Sequence, residues 1–135
     1  MFRELRIGFV AYAPLGRGLL TGTIRSTDGF ADHDIRKSNP RFSEQNLAHN
    51  LTSADLLRRI ADDLNATPAQ VALAWLLARG PDIVPIPGTK HVSRLAENLG
   101  ADTVELAPQD LARLDELLPA AGDHITAEQA QWLNG

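Results

Sequence analysis

Two short apolar segments divide the chain and predict its strands. Residues 7–13 are mainly apolar and β-prone and end at Pro14, which is typical of a buried parallel strand. Residues 83–87 form a second apolar segment with two prolines. Each proline removes a backbone donor, so we expect incomplete pairing on at least one side of this strand. Because capped helices separate the two segments, the pattern predicts an α/β fold with about two parallel strands.

Apolar residues at helical spacing predict five helices around these strands. The predicted helices cover residues 53–64, 68–78, 91–99, 108–118 and 127–133. The second has the clearest start, since Thr67, Pro68 and Gln70 stand at the N-cap, first-turn and third positions of a capping box. A similar signal at Thr52 marks the first helix. The second helix is apolar nearly all round, so we expect it to be buried on several sides.

The segment between the first strand and the first helix is long, polar and without clear periodicity. Residues 21–50 are therefore predicted as a long loop. A compact domain rarely contains such a loop unless it is disordered or acts as a lid over a ligand. Both interpretations, a mobile excursion and a lid, remain open from the sequence.

Composition limits the range of functions. The chain has 135 residues, of which 44% are hydrophobic, enough for one globular domain. A net charge of −4 argues against nucleic acid or an anionic membrane surface as the main partner. The absence of cysteine excludes disulfides and thiolate metal sites. No signal-peptide pattern or membrane-spanning apolar run is visible, so we expect a cytoplasmic protein.

A phosphate site is predicted where the second strand meets the third helix. Gly88, Thr89 and Lys90 precede the helix, and backbone N–H groups at a helix start, a hydroxyl and a lysine together suit a phosphate. Arg94 and Asn98 are four residues apart and share one helix face. No metal site is expected in the 32–34 tract Asp-His-Asp, because real sites need three or four converging ligands.

Two motifs together resemble the cofactor-binding segments of the aldo-keto reductases. One runs from residue 85 to residue 98 and the other from residue 8 to residue 22, with Pro40-Arg41-Phe42 between them. The resemblance extends roughly from Leu5 to Leu118. It implies the C-terminal portion of a (β/α)8 TIM barrel. A complete barrel needs at least about 200 residues, so we expect an incomplete one. The family's catalytic Asp, Tyr, Lys and His lie in the first half of its barrel, so no catalytic residue is expected in this chain.

The resemblance further implies an NADP (NADPH) site. Tyr12 would stack on the nicotinamide ring, next to Ala13, where the family frequently has serine. The remaining expected contacts are Leu15, Gly16, Arg17 and Gly18 near the pyrophosphate, Gly88, Thr89 and Lys90 at the adenosine-side phosphate, Arg94 over that phosphate or over the adenine ring, and Glu97 and Asn98 at the adenine edge. The cationic pair at residues 90 and 94 favours NADP over NAD, because a 2′-phosphate must be both neutralised and hydrogen-bonded.

Each of these residues also has a plain structural interpretation. Tyr12 is also consistent with a core tyrosine, Arg17 with a solvated surface cation, and Arg94 with an ordinary i,i+3 partner of Glu97. The order of residues in both motifs favours the cofactor interpretation of the set.

Two functions remain open at this point. The first is the NADP-binding C-terminal segment of a reductase that reduces aldehydes or ketones when intact. The second is a non-catalytic nucleotide-binding or interaction module derived from a reductase. Either would need a partner besides the nicotinamide cofactor, namely the missing N-terminal barrel part or another copy, because a two-strand remnant leaves unpaired edges. We also expect Leu73, Trp75 and Leu76 to be partly uncovered.

Overall fold

The structure is a computed structural model that describes residues 2–117, 119–126 and 129–131. The elements in chain order are β1 (Phe9–Tyr12), α1 (Glu44–Asp63), α2 (Pro68–Leu77), β2 (Ile83–Ile86), α3 (Val92–Leu99) and α4 (Pro108–Asp115). Short 3₁₀ segments lie at Gly16–Thr21, Ile35–Ser38, Pro40–Phe42 and Gly100–Thr103. The predicted 127–133 helix lies largely outside the described residues, although Thr126 and Gln129 exchange the hydrogen bonds of a capping box.

The two predicted strands pair in parallel, which confirms the α/β expectation. Phe9 lies opposite Ile83 and Tyr12 opposite Ile86. Within the described residues the sheet has these two strands. β1 is shorter than predicted, because Ile7 donates its N–H to the Phe2 carbonyl at 3.0 Å instead of joining the ladder. Ala13, with φ 47°, turns the chain away at the other end.

The main core lies between the helices. It consists of Leu57, Ile60 and Ala61 of α1, Val71 and Ala72 of α2, and Leu114 of α4. Burial of α2 on several sides is confirmed, since its residues 71–74 are all buried. Its predicted capping box is also present, with the Gln70 N–H bonded to Thr67 and the Thr67 N–H bonded to Gln70.

The first helix begins much earlier than predicted. It starts at Glu44, so the predicted helix start at residue 53 is wrong and the predicted loop 21–50 ends before residue 44. Ser43 is the actual N-cap, and its hydroxyl accepts the Asn46 N–H at 3.4 Å. Thr52 lies inside the helix and donates its hydroxyl to the His49 carbonyl at 2.7 Å. Its side chain therefore bonds back to the preceding turn rather than capping a new helix.

The remaining part of the predicted loop shares a small core with the 3₁₀ segment Gly16–Thr21 and with α1. Leu19, Ile24, Phe42 and Leu47 are buried together, and the Phe30 ring meets the Phe42 ring edge-on at 5.8 Å between centroids. These apolar residues are too far apart in sequence to show helical or strand periodicity. Residues 21–43, here called the excursion, are therefore packed rather than structureless.

Apolar surface remains exposed on the strands and on α3. Val92, Leu95 and Leu99 of α3 are 84%, 50% and 68% exposed. Val84 and Ile86 of β2 are exposed as well. In β1 only Ala11 is buried, so the prediction of a buried strand at residues 7–13 is wrong: among the described residues, one face of the sheet has no covering layer. The expectation that Leu73 is partly uncovered is wrong, because this residue of α2 is only 2% exposed, whereas Trp75 and Leu76 are half-buried. In the described part of the chain, no helix has the length and apolar character needed to cross a membrane.

Candidate functional site

The two predicted cofactor segments leave the sheet at the same edge. Because β1 and β2 are parallel and Tyr12 lies opposite Ile86, the turn that follows each strand emerges on one side. The first turn contains residues 13–18 and the second contains residues 87–90. In parallel α/β proteins this carboxyl edge is where ligands bind. The parallel pairing thus places the two turns side by side, although they are more than 60 residues apart in the sequence.

A cavity of about 810 Å³ opens beside the first turn. Four of the predicted cofactor residues contribute to its wall, namely Tyr12, Ala13, Gly16 and Arg17. The opposite wall includes Asn39, Arg41, Asn50, Ala120 and His124. Its volume lies within the range of small-molecule and cofactor sites.

Tyr12 presents its ring to this cavity. Its side chain lies on the open face of β1 and the residue is 72% exposed, whereas its neighbour Ala11 is buried. Within this chain Tyr12 is therefore not a core residue. An exposed aromatic ring at a strand end provides a flat apolar surface for a planar ligand.

The first turn is held in an unusual backbone conformation. Gly16, Arg17 and Gly18 have positive φ angles of 57°, 57° and 96°. The Gly16 N–H donates to the Ala13 carbonyl at 2.9 Å, and the Gly18 N–H donates to the Leu15 carbonyl at 3.0 Å. These two amides, expected to approach a pyrophosphate, are thus used within the turn. A Cβ at Gly18 would lie 3.2 Å from Ile24 Cδ1, so packing against the excursion favours glycine there.

The second segment lies outside the cavity and is exposed. Gly88, Thr89, Lys90 and Arg94 are all exposed, and the Thr89 hydroxyl accepts the His91 N–H at 3.1 Å just before α3. Among the described residues, neither Lys90 nor Arg94 forms an ion pair. Two solvated cations therefore lie next to a helix start, an arrangement that attracts a phosphate.

The adenine-edge candidates are half-buried at the other end of α3. Glu97 and Asn98 are both half-buried, and the Glu97 carbonyl accepts a hydrogen bond from Gln70 Nε2 at 3.1 Å. The alternative pairing of Arg94 with Glu97 is not formed in the described part of the chain. Gln70, which also caps α2, thereby fixes the position of α3.

Arg36 was missed by the sequence analysis and holds the excursion against the first turn. Its Nη2 lies 2.6 Å from Asp34 Oδ2, and its guanidinium lies 4.0 Å from the Phe30 ring centroid. Its Nη1 donates to the Arg17 carbonyl at 3.4 Å. Hydrogen bonds from the Arg36 side chain lower the pKa of Asp34 from 3.8 to about 2. The 32–34 tract is thus occupied by ion pairs with Arg36 and Lys37.

Two buried asparagines were also missed. Asn39 and Asn50 are only 3% and 2% exposed, and their amide groups bond to the main chain of residues 121–124. The sequence signal for this arrangement is weak, because an asparagine in a polar segment looks like a solvated residue. Its significance depends on tertiary contacts that only the fold creates.

Trp75 joins α2 to α4 at the cavity wall. Its indole N–H donates to Asp115 Oδ1 at 2.7 Å, and Arg79 bonds to the same carboxylate at 2.9 Å while its guanidinium lies over the indole ring. The hydrogen bond from Trp75, followed by that from Arg79, lowers the pKa of Asp115. This cluster keeps an ionised carboxylate at the cavity without leaving it unpaired.

Comparison with known proteins places these features in a wider group. A sequence model described as the Aldo/keto reductase family matches residues 1–119. The chain is 46% identical over 115 residues to "Aldo-keto reductase str7" of Strobilurus tenacellus, covering 85% of this chain and 34% of that protein. It is 47% identical over 114 residues to "Aldo-keto reductase yakc [NADP(+)]" of Schizosaccharomyces pombe, covering 84% and 34%. The chain thus spans about a third of the length of these relatives.

Proposed function

The chain belongs to the aldo/keto reductase family, and on that premise we propose that it supplies the NADP-binding portion of a reductase. In the intact protein this portion would hold NADPH while an aldehyde or ketone is reduced. The name of the yeast relative includes NADP(+), which supports the choice of cofactor. The chain covers only about a third of that relative, so the activity of the whole protein is part of the proposal.

The observation that carries this proposal is the parallel register of the two strands. Tyr12 lies opposite Ile86, so the nicotinamide-side turn and the phosphate-side turn emerge together. A dinucleotide could then lie with its nicotinamide end in the cavity beside Tyr12 and its adenosine end on the exposed start of α3. An antiparallel pairing would have sent the two turns to opposite ends of the sheet.

The described residues fit such a cofactor. The exposed ring of Tyr12 would cover one face of the nicotinamide, leaving the other face for a substrate. Lys90 and Arg94 are exposed and without ion-pair partners among the described residues, so they would be available to a 2′-phosphate. When bound, the cofactor supplies the hydride; this chain would orient its ring and neutralise its phosphates.

Cofactor preference provides the direct test. We expect the 135-residue chain to bind NADPH more tightly than NADH, and Lys90→Ala to weaken NADPH binding selectively. Loss of one charge-assisted contact costs about 1.5–3 kcal/mol. Titrating both cofactors by fluorescence against wild type and the variant measures this. Lys37→Ala is the matched control, because Lys37 pairs with Asp32 in the excursion. Equal loss of both cofactors, or no loss of NADPH, would contradict the assignment.

The same proposal predicts that the 135-residue chain has no carbonyl-reductase turnover by itself. By resemblance, the proton-donating tyrosine and its neighbours belong to the first half of the barrel, and positioned proton transfer supplies much of the rate enhancement. NADPH oxidation with a panel of aldehydes and ketones measures this. We propose that the exposed apolar surface of β2 and α3 is where the rest of a family-length polypeptide packs. Mixing the chain with a polypeptide containing that part should then restore turnover.

A non-catalytic nucleotide-binding or interaction module is the second candidate. It is favoured by one observation, namely that this chain buries a helical core between α1, α2 and α4. Such a module would bind the nucleotide, yet adding the remaining barrel would produce no turnover. The mixing experiment therefore distinguishes the two functions.

A further inference from the structure

One wall of the cavity is held in place almost entirely by polar contacts. Residues 119–124, here called the strap, contribute Ala120 and His124 to the cavity wall. None of the six strap residues is buried. The strap therefore gains little of the apolar burial that stabilises the helices, and its position must depend on hydrogen bonds.

Three side chains from residues 39–50, here called the facing segment, hold the strap. All three bond to its main chain. Asn50 Nδ2 donates to the Ala121 carbonyl at 3.1 Å, and the Ala121 N–H donates back to Asn50 Oδ1 at 2.7 Å. Asn39 Nδ2 donates to the His124 carbonyl at 2.8 Å. Arg41 Nε donates to the Gly122 carbonyl at 3.2 Å. These four bonds require no particular strap side chain.

The same three side chains line the cavity. If the strap moved away, their donors would face the cavity and its solvent rather than an apolar core. Water would then replace the lost partners, so detaching the strap would not leave buried polar groups unsatisfied. By contrast, moving α2 would expose Val71 and Leu73, which are 0% and 2% exposed. The strap is thus the part of the wall that opens with least disruption.

Gly122 makes the strap depend on close backbone contact. Its φ is +84°, and a Cβ built there would lie 2.8 Å from both the carbonyl carbon and the oxygen of Pro40. Any side chain at this position would push the strap away from the segment that holds it. Gly122 therefore offers a means of loosening the strap without altering Asn39, Arg41 or Asn50.

We propose that the strap is a detachable wall of the cavity, which opens locally while the helical core stays folded. This local opening goes beyond the proposed function and does not depend on it.

Hydrogen exchange tests the opening without any ligand. The probe is the Ala121 amide, whose N–H is bonded to Asn50. In wild type it should exchange faster than the amides of α2. In Gly122→Ala it should exchange about tenfold faster again, as expected for loss of one ordinary hydrogen bond, while α2 is unchanged. Gly29→Ala is the matched control, since nothing lies within 4 Å of a Cβ there.

Three results would overturn the local opening. These are exchange of the Ala121 amide only at the rate of α2, unchanged exchange of that amide in Gly122→Ala, and equal acceleration of α2 by the same variant. Asn50→Leu provides a second approach, from the facing segment. If that variant does not fold, the comparison between Gly122→Ala and Gly29→Ala still decides the question.

Discussion

At the scale of single residues, arginine side chains organise the surroundings of the first turn. Arg36 alone contacts Asp34, the Phe30 ring and the Arg17 carbonyl. Because the bidentate contact with Asp34 fixes the guanidinium plane, the remaining donor can point at the main chain of the glycine turn. The excursion and the candidate cofactor turn are therefore joined through one side chain.

This contact predicts a measurable titration. The pKa of Asp34 is lowered from 3.8 to about 2, so its ion pair stabilises the fold fully above the ordinary pKa. That contribution is lost as the pH falls through about 2. In Arg36→Gln the pKa of Asp34 should return partway towards 3.8, because the bond from the Arg36 backbone N–H remains.

Carboxyl NMR titration of Asp34 measures this shift. Lys37→Gln is the control, since Lys37 pairs with Asp32 rather than with Asp34 and should leave the titration unchanged. An Asp34 carboxyl that titrates near 4 in wild type, or that is unaffected by Arg36→Gln, would show that the ion pair is not maintained in solution.

At the scale of elements, sequence signals succeeded where the cause was local. The Thr67–Gln70 capping box and the parallel pairing of the two apolar segments are both present, because the capping box depends on neighbouring residues and each strand on one short run of β-prone residues. The start of α1 was missed because Ser43 lies in a polar stretch where no apolar stripe shows where the helix begins. The core around Leu19 and Phe42 joins residues distant in sequence, so periodicity could not reveal it.

The candidate site shows the same division. The residues of the two motifs were identifiable because their order is distinctive, but the sequence did not indicate that Gly16 and Gly18 use their amides within the turn. It also did not show that α3 would present Leu95 to solvent. An apolar stripe indicates which face of a helix seeks a partner, and not whether the chain supplies one.

Gln70 couples α2 to α3. This coupling predicts that the effect of Gly100→Ala on the free energy of unfolding changes sign when Gln70 is replaced. Its Nε2 donates to the Glu97 carbonyl at the end of α3, and a Cβ on Gly100 would lie 2.5 Å from that nitrogen. In wild type, Gly100→Ala should displace the amide and lower the free energy of unfolding. In a Gln70→Ala background the same change should raise it by about 0.5–1 kcal/mol, because Gly100 has a right-handed helical conformation that alanine favours.

Urea denaturation of wild type, the two single variants and the double variant gives the four free energies of unfolding from which the coupling is calculated. We expect a coupling energy of about 1 kcal/mol, the value of an ordinary hydrogen bond. Additive effects of the two substitutions would mean that Gln70 does not contact the 97–100 region in solution.

At the scale of the whole molecule, the chain combines a closed helical core with an open apolar surface. The core clusters bury Leu57, Ile60 and Val71 almost completely, so the helices can support each other. The sheet and α3 remain uncovered on one side. Isolated two-stranded sheets are weakly stable and large exposed apolar patches mark interaction surfaces, so we expect this face of the molecule to seek a partner.

This asymmetry predicts that the 135-residue chain self-associates through α3 when no other partner is present. Val92 and Leu99 are 84% and 68% exposed, and burying such side chains between copies yields about 25 cal/mol per Å² of apolar area. Leu99→Lys should therefore reduce the mass measured by light scattering without lowering the helical circular dichroism. Ile35→Lys is the matched control, because Ile35 is also exposed, at 63%, but lies in the excursion. If both variants reduced association equally, the association would be non-specific and not located at α3. If wild type remained monomeric at high concentration, the prediction of self-association would be wrong.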